Sequence, residues 1–401
     1  MLFEALTLQL GYNATLVAVG AALLGVAAGV TGTFLFLRKR ALVADAISHA
    51  TLPGVGLAFI VMVLAGGDGR NLAGLMAGSA LTAWGGLICV QAITRRTRLS
   101  EDAAIGAVLS VFFGAGIVLL TVIQTMSSGR QAGLDGLLLG STAGMLRQDA
   151  LMIAAGGALT LALVLILRRA MILVAFDSEY ARSIGLRPDR VDMMTMLLVL
   201  AVTVVGLKIV GLILIVALLI IPPVTARFWT ERSTRVAAYA GVVGGVSGYV
   251  GAALSASAPA MPTGPIIVLT CFVLFLLSLL LAPERGLLAA WLRHRRFQER
   301  VHIRQGLLAL AQGQEVYEPL TIRLLVRKGL ARRDGVPTEA GRARAAKALR
   351  DEHRWQALHG LAEYEAISGL YDGLRDIETV LTADQIDELD AVLGGPREVT
   401  P

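Results

Sequence analysis

The sequence predicts an all-α, polytopic membrane helix bundle followed by a small cytoplasmic domain. The chain has 401 residues, of which 55% are hydrophobic and 16% are charged, a balance that ordinary soluble domains do not have. Its 44 glycines suit membrane helices, because small residues let helix backbones approach closely. Several apolar runs are also long enough to cross about 30 Å of hydrocarbon.

About nine apolar runs are predicted to span the membrane. They cover residues 14–37, 41–64, 72–94, 101–124, 149–167, 191–207, 209–223, 236–257 and 264–282. The two runs on either side of Lys208 are short and nearly continuous, so the division between them stays open. Segment 134–146 is apolar but too short to span, which predicts a re-entrant or interfacial segment.

The basic residues predict the orientation of these spans. Most of them fall on one side of the predicted bundle: Arg38, Lys39, Arg40, Arg95, Arg96, Arg98, Arg168, Arg169, Arg182, Arg187, Arg190, Arg227, Arg232 and Arg235. The other side holds little beyond Arg70, Arg130 and Arg147. The side rich in arginine is predicted to be cytoplasmic. About nine spans then place the N-terminus outside and the C-terminus inside.

Asp45 and His49 lie in the middle of the apolar stretch 41–55, within the second predicted span. Their i,i+4 spacing puts both side chains on one face of a helix. An ionisable residue inside a bilayer costs about 3 kcal/mol even on the mildest scale, and such residues usually mark an ion pathway. A carboxylate and an imidazole are half of a first-row divalent metal site, whereas the structural alternative is a pair bonded to a neighbouring helix. The proline that follows at position 53 favours a cavity-lining helix and therefore a transport role.

A short amphipathic stretch lies between two spans on the predicted cytoplasmic side. It comprises Asp177, Ser178, Glu179, Tyr180, Ala181, Arg182, Ser183, Ile184 and Gly185. Composition alone favours an ordinary solvated loop helix. The sequence has no Gly-rich phosphate loop ending in Lys-Ser/Thr, so ATP-driven transport would require a separate ATPase that docks on such a loop.

Composition changes after Pro283, which predicts three parts. These are a transmembrane domain at 1–286, a connecting helix at 287–301 and a charged cytoplasmic domain at 302–401. In the last part the pattern predicts helices at 303–311, 319–328, 338–358, 360–371 and 383–393, with Thr338 as an N-cap. Leu320–Leu330 and the basic residues after it fit either a DNA-reading winged helix or, preferably, a basic face near an acidic membrane or partner.

Four segments together resemble the integral permeases of ABC importers for manganese, zinc or iron. They are 40–50, 101–106, 176–185 and 205–225. The resemblance implies that Asp45 and His49 form the metal gate and that Asp177 to Gly185 is the coupling helix seated on the ATPase. It also implies that permeases work in pairs, so that a second Asp/His pair would face the first.

Residues 302–395 resemble the winged-helix and dimerisation region of iron- and manganese-dependent repressors. The resemblance is carried by 325–333, 338–343 and 353–355, and it places His353 and Glu378 where that family has metal ligands. Other ligand positions of that family hold Ala357 and Thr379, and the segment before Leu320 is short for a DNA-reading helix pair. The expectation is therefore a regulatory or assembly role, with a residual metal site at most and no DNA binding.

The sequence thus predicts a non-hydrolytic permease subunit in the bacterial inner membrane, importing Mn²⁺ in first place and Zn²⁺ or Fe²⁺ next. The metal ion is the substrate, no cofactor is permanently bound, and ATP binds to a partner ATPase. An external metal-binding protein and a second permease, identical or different, complete the expected assembly. Two alternatives stay open: an ion-coupled secondary transporter with Asp45 and His49 as a relay, and a membrane-tethered metal sensor with a DNA-binding-like domain.

Overall fold

The computed structural model of the chain describes residues 12–67, 69, 71–126, 147–207, 211–257, 261–359 and 373–393. The chain forms two compact units, one of residues 1–288 and one of residues 289–401. Within the described residues the regular structure is helical, apart from one isolated antiparallel bridge between Ala331 and Pro337. The predicted segment at 134–146 lies outside the described residues, as does Lys208.

The first unit contains ten described helices. They are α1 (Tyr12–Leu37), α2 (Ala41–Leu64), α3 (Leu72–Arg96), α4 (Glu101–Thr125), α5 (Arg147–Phe176), α6 (Ser178–Ser183), α7 (Pro188–Gly206), α8 (Leu212–Arg227), α9 (Ser233–Ala256) and α10 (Thr263–Leu281). Each of the nine predicted spans overlaps one of these helices, and only the short α6 has no counterpart among the spans.

Seven of these helices are long and apolar enough to cross a membrane: α1, α2, α3, α4, α5, α9 and α10. The other two helices that overlap predicted spans, α7 and α8, are too charged or too short to count as candidate spans. Helix α7 carries three charged residues, Asp189, Arg190 and Asp192, in its first two turns, which is more than a membrane span usually contains. The apolar helix over Ile215–Arg227 is short. It follows Gly211, whose φ of 83° suits glycine and breaks the chain direction before α8.

Local sequence explains where α3 and α4 begin. Asn71 caps α3, since its side-chain oxygen accepts a hydrogen bond from the Gly74 amide at 3.1 Å. Ser100 caps α4 in the same way through the Ala103 amide at 3.3 Å. Helix α4 then opens with Glu101, an acidic residue at the positive end of the helix dipole. These caps turn the chain sharply between successive helices.

Small residues hold the centre of the bundle together. Helix α1 packs against α5, α7, α8 and α9, while α2 packs against α3 and α4. At the α1–α9 seam a Cβ added to Gly25 would lie 2.1 Å from the carbonyl oxygen of Gly244. The same addition at Gly29 would meet the Ala240 carbonyl oxygen at 2.2 Å. The two backbones are therefore in direct contact, which the glycines make sterically feasible.

The second unit is a small helical domain. It contains most of α11 (Leu287–Ala311), then α12 (Pro319–Arg327), α13 (Glu339–His359), a 3₁₀ turn (Ile377–Thr379) and α14 (Ala383–Val392). One continuous helix, α11, crosses residue 301, where the sequence pattern places the end of a connecting helix. The predicted helix 360–371 lies outside the described residues. Thr338 caps α13 as predicted, because its Oγ1 accepts a hydrogen bond from the Gly341 amide at 3.1 Å.

Candidate metal gate and coupling surface

Asp45 and His49 face each other across one turn of α2. Nε2 of His49 lies 3.4 Å from Oδ1 of Asp45, within ion-pair distance. The Asp45 side chain is 36% exposed and the His49 side chain 17% exposed. Their neighbours Ala44, Ile47 and Ser48 are buried, so the two ionisable groups lie on the accessible side of an otherwise packed helix. That placement leaves both groups accessible to a ligand.

The imidazole of His49 is held by an aromatic contact. The ring of Phe113, from α4, meets it edge to face with 5.0 Å between ring centroids and 85° between ring planes. Nδ1 of His49 is buried and has no hydrogen-bond partner within the described part of the chain. Packing therefore orients this ring without engaging Nδ1, and Nε2 points to the carboxylate.

Pro53 leaves one backbone oxygen atom of α2 without its helical donor. The proline lies inside α2 and has no amide hydrogen, so the carbonyl of His49 lacks its ordinary i+4 backbone donor. The next residue, Gly54, is in backbone contact with α3, because an added Cβ would lie 2.2 Å from the Gly78 carbonyl oxygen. One turn of α2 thus presents a carboxylate, an imidazole and a freed carbonyl. Among the described residues, no group of three His, Cys, Asp or Glu side chains is positioned to hold a metal ion, and the Asp45–His49 pair comprises two such side chains.

The predicted coupling segment forms a well-capped helix. Oδ1 of Asp177 accepts hydrogen bonds from the amides of Glu179 at 3.1 Å and Tyr180 at 2.8 Å, which starts α6. Gly185, with φ of 90°, ends it: the Gly185 amide bonds to the Arg182 carbonyl at 3.0 Å and the Leu186 amide to the Ala181 carbonyl at 3.0 Å. The caps at both ends give this short helix a defined shape.

Three large apolar side chains in and beside this segment are accessible. Phe176, the last residue of α5, Tyr180 in α6 and Ile184 at the end of α6 are 68%, 55% and 53% exposed. Ala181 is fully buried and anchors α6. An exposed group of large apolar side chains is typical of a surface that docks another protein.

The structure shows a set of ion pairs that sequence reasoning did not find. Arg38 and Arg40 appeared in the sequence only as markers of orientation. In the structure both contact Asp192 of α7, and Arg40 also contacts Glu101 of α4 at 3.1 Å. The partners lie more than 50 residues away in sequence, so no local pattern indicates these contacts.

The two residues predicted as a residual metal site in the second unit have other surroundings. Glu378 accepts a hydrogen bond from Nζ of Lys347 at 2.9 Å, and this contact lowers the pKa of Glu378. His353 is exposed. The structure therefore shows Glu378 engaged with a lysine, and a metal role for these two residues stays a prediction.

The bundle, with seven helices long and apolar enough to cross a membrane, defines a class, the multi-pass membrane proteins. Comparison with known families specifies it further: the family described as ABC 3 transport family matches residues 12–282. The chain belongs to this family of ABC importer permeases, which span the membrane and do not themselves catalyse a reaction. The match lies within the first structural unit.

Individual relatives agree with this assignment. The chain is 42% identical over 315 residues to the manganese transport system membrane protein MntC of Bacillus subtilis, covering 78% of this chain and 71% of the relative. That alignment is longer than the 288-residue first unit, so it reaches into the second unit. The zinc transport system membrane protein TroC of Treponema pallidum is 38% identical over 285 residues, covering 71% of this chain and 94% of the relative.

A solved structure shares the fold. The structure titled PsaBC from Streptococcus pneumoniae in complex with Fab aligns with a TM-score of 0.62 and 28% identity. The alignment covers 71% of this chain and 98% of that chain.

Proposed function

We propose that this chain is the transmembrane permease subunit of an ATP-driven importer of divalent transition metal ions, with manganese as its main substrate and zinc or iron next. The observation that carries the proposal is the Asp45–His49 pair, 3.4 Å apart and partly exposed on a membrane helix. The relatives named for manganese and zinc transport support the substrate class, and the manganese relative has the higher identity of the two.

Two permease copies complete the metal site in this proposal. Two carboxylates from two Asp45 residues offset the charge of one divalent cation. Two imidazoles add affinity for transition metals over Ca²⁺ and Mg²⁺. The freed carbonyl of His49 offers a further oxygen ligand, which suits Mn²⁺. Ligand affinity by itself favours Zn²⁺ over Mn²⁺, so preference for manganese rests on geometry and on which ion is delivered.

The remaining parts of the transport cycle follow from the proposed topology. With the N-terminus outside and the C-terminus inside, α6 faces the cytoplasm of a bacterial cell and docks on a separate ATPase. An external metal-binding protein delivers the ion from the other side. Binding at Asp45 and His49 must weaken in one state of the cycle, since an ion held tightly in both states would not leave.

The second unit is proposed to act in regulation or assembly on the cytoplasmic side. Helix α12, the bridge between Ala331 and Pro337 and helix α13 follow one another as in a small winged helix. The hydrogen bond from the Arg332 amide to the Val336 carbonyl at 2.8 Å closes the turn between the bridged residues. We expect this unit to contact a protein or the membrane, and operator DNA is not an expected partner.

Metal uptake into vesicles tests the proposal. The reconstituted permease and ATPase would be loaded with ATP on the cytoplasmic side and offered Mn²⁺ and Zn²⁺ separately. We expect Asp45→Asn and His49→Ala to abolish ATP-dependent uptake while the complex stays assembled. Thr270→Ala is the matched control, because its hydroxyl bonds the Ile266 carbonyl of its own helix, at 2.8 Å. Uptake at the wild-type rate in both site variants would refute the gate.

A further inference from the structure

The turn between α1 and α2 is fixed by its own backbone. The Lys39 amide bonds to the Phe36 carbonyl and the Arg40 amide to the Leu35 carbonyl, each at 3.0 Å. This is the pattern that ends many helices, with the left-handed position taken by Lys39 at φ of 57° instead of by glycine. The turn therefore presents Arg38 and Arg40 from a defined backbone, in direct continuity with the helix that bears Asp45.

Arg38 holds both flanks of the coupling helix. Its Nη1 donates a hydrogen bond to the Val174 carbonyl at 2.9 Å, three residues before the Asp177 cap of α6. Its Nη2 pairs with the carboxylate of Asp192, in the second turn of α7, the helix that follows α6. The planar guanidinium of Arg38 thus joins the chain that precedes α6 to the helix that follows α6.

Arg40 extends the same network to the candidate gate. Its Nη1 lies 3.1 Å from the Asp192 carboxylate that Arg38 also binds. Its Nε lies 3.1 Å from Glu101, at the start of α4. Arg40 directly precedes α2, which bears Asp45 and His49, and α4 bears Phe113, which contacts the His49 ring. Arg40 is therefore joined to both helices that shape the gate: it directly precedes α2 in the chain, and its side chain pairs with Glu101 of α4. The same residue also pairs with Asp192, in the helix that follows the coupling helix.

We infer that Arg38, Arg40 and Asp192 form a coupling clamp, which transmits movement of the coupling helix to the metal gate. The inference rests on the proposed function and makes these three residues positioning residues that touch neither the ion nor ATP. When the ATPase displaces α6, Val174 and Asp192 move with it, and the two arginines carry that movement into the start of α2.

The partial burial of the clamp distinguishes it from a nearby ion pair made by the same helix, α7. The side chains of Arg38, Arg40 and Asp192 are 22%, 29% and 15% exposed. The nearby pair between Arg95 and Asp189, also at 3.1 Å, has side chains that are 60% and 69% exposed. Water and salt screen such an exposed pair, which therefore restrains its helices weakly. Both aspartates belong to α7, so the exposed pair provides a matched control.

The experiment compares Asp192→Asn with Asp189→Asn in the complete permease–ATPase complex reconstituted in vesicles. Three quantities are measured: Mn²⁺ taken up, ATP hydrolysed, and Mn²⁺ bound without ATP. We expect Asp192→Asn to lower the Mn²⁺ taken up per ATP by roughly fivefold or more, with ATP hydrolysis and metal binding retained. Asp189→Asn should behave as wild type. Arg38→Lys keeps the charge but not the two-armed fork, so it should uncouple the complex in the same direction.

Two results would overturn the clamp. One is an equal ratio of uptake to ATP hydrolysis in Asp192→Asn and Asp189→Asn. The other is a parallel fall of uptake, hydrolysis and bound ATPase in both Asp192→Asn and Arg38→Lys, which would mean that the network only stabilises the fold. Failure of the proposed function looks different, because the wild-type complex itself would then take up no metal.

Discussion

Replacing Gly25 with alanine tests whether the α1–α9 seam is as tight as the structure shows. The added Cβ would lie 2.1 Å from the carbonyl oxygen of Gly244 and 2.6 Å from its carbonyl carbon. Ordinary carbon–oxygen contacts are about 3.3 Å, so the helices would have to separate by about 1 Å at this level. The close contacts at Gly29 and Gly248, where an added Cβ would lie 2.2 Å from a carbonyl oxygen of the facing helix, would also be lost.

The cost of this substitution follows from what the new methyl group meets. Overpacking of a dense interior costs about 1–3 kcal/mol, and two facing backbones cannot relieve the clash by rotating a side chain. We therefore expect Gly25→Ala to lower the free energy of unfolding by about 3 kcal/mol. Gly85→Ala is the control, because an added Cβ there meets no heavy atom within 4 Å. Alanine is the better helix former by about 1 kcal/mol, so this variant should be as stable as wild type or more stable.

The assay is unfolding of the purified protein in mixed micelles with increasing sodium dodecyl sulfate, followed by the loss of helical circular dichroism. The reasoning is wrong if Gly25→Ala unfolds at the same detergent fraction as wild type. It is also wrong if Gly25→Ala and Gly85→Ala are destabilised equally, since the loss would then reflect alanine itself and not the seam.

Three further predictions concern the gate, the coupling surface and the second unit. Pro53→Ala restores a backbone amide that can donate a hydrogen bond to the His49 carbonyl, so we expect weaker Mn²⁺ binding, measured by equilibrium dialysis. Unchanged Mn²⁺ binding would exclude that carbonyl as a ligand. Tyr180→Ser removes an exposed apolar contact, so less ATPase should copurify with the permease, and full copurification would argue against docking on α6. Arg354 lowers the pKa of Asp390 below its usual 3.8, so their pair stabilises the second unit above that pH and is lost as pH falls through the lowered value. The protection of the α13 and α14 amides against hydrogen exchange, relative to the intrinsic exchange rate at each pH, should therefore fall in acid in the wild type. Asp390→Asn should flatten this pH dependence, and an identical pH profile would contradict the assignment.

Much of the fold was predictable because membrane insertion leaves a strong local signal. Helix positions in the first unit follow from apolar length, and caps such as Asn71 and Ser100 follow from residue type. The division around Lys208 was not predictable, since the two runs there are nearly continuous in composition. The candidate gate was predictable in part, because two residues four positions apart on a helix, such as Asp45 and His49, lie on the same face.

The sequence by itself determined the approximate positions of the membrane helices, the capped starts of α3 and α4, and the pairing of Asp45 with His49, because each depends on residues close together in the chain. Only the tertiary structure decided what surrounds them. Phe113 fixes the His49 ring from another helix, and Asp192 joins two arginines more than 150 residues away. Side chains that meet across different helices leave no periodicity in the sequence, since their proximity depends on how the helices pack and not on the spacing within any one of them.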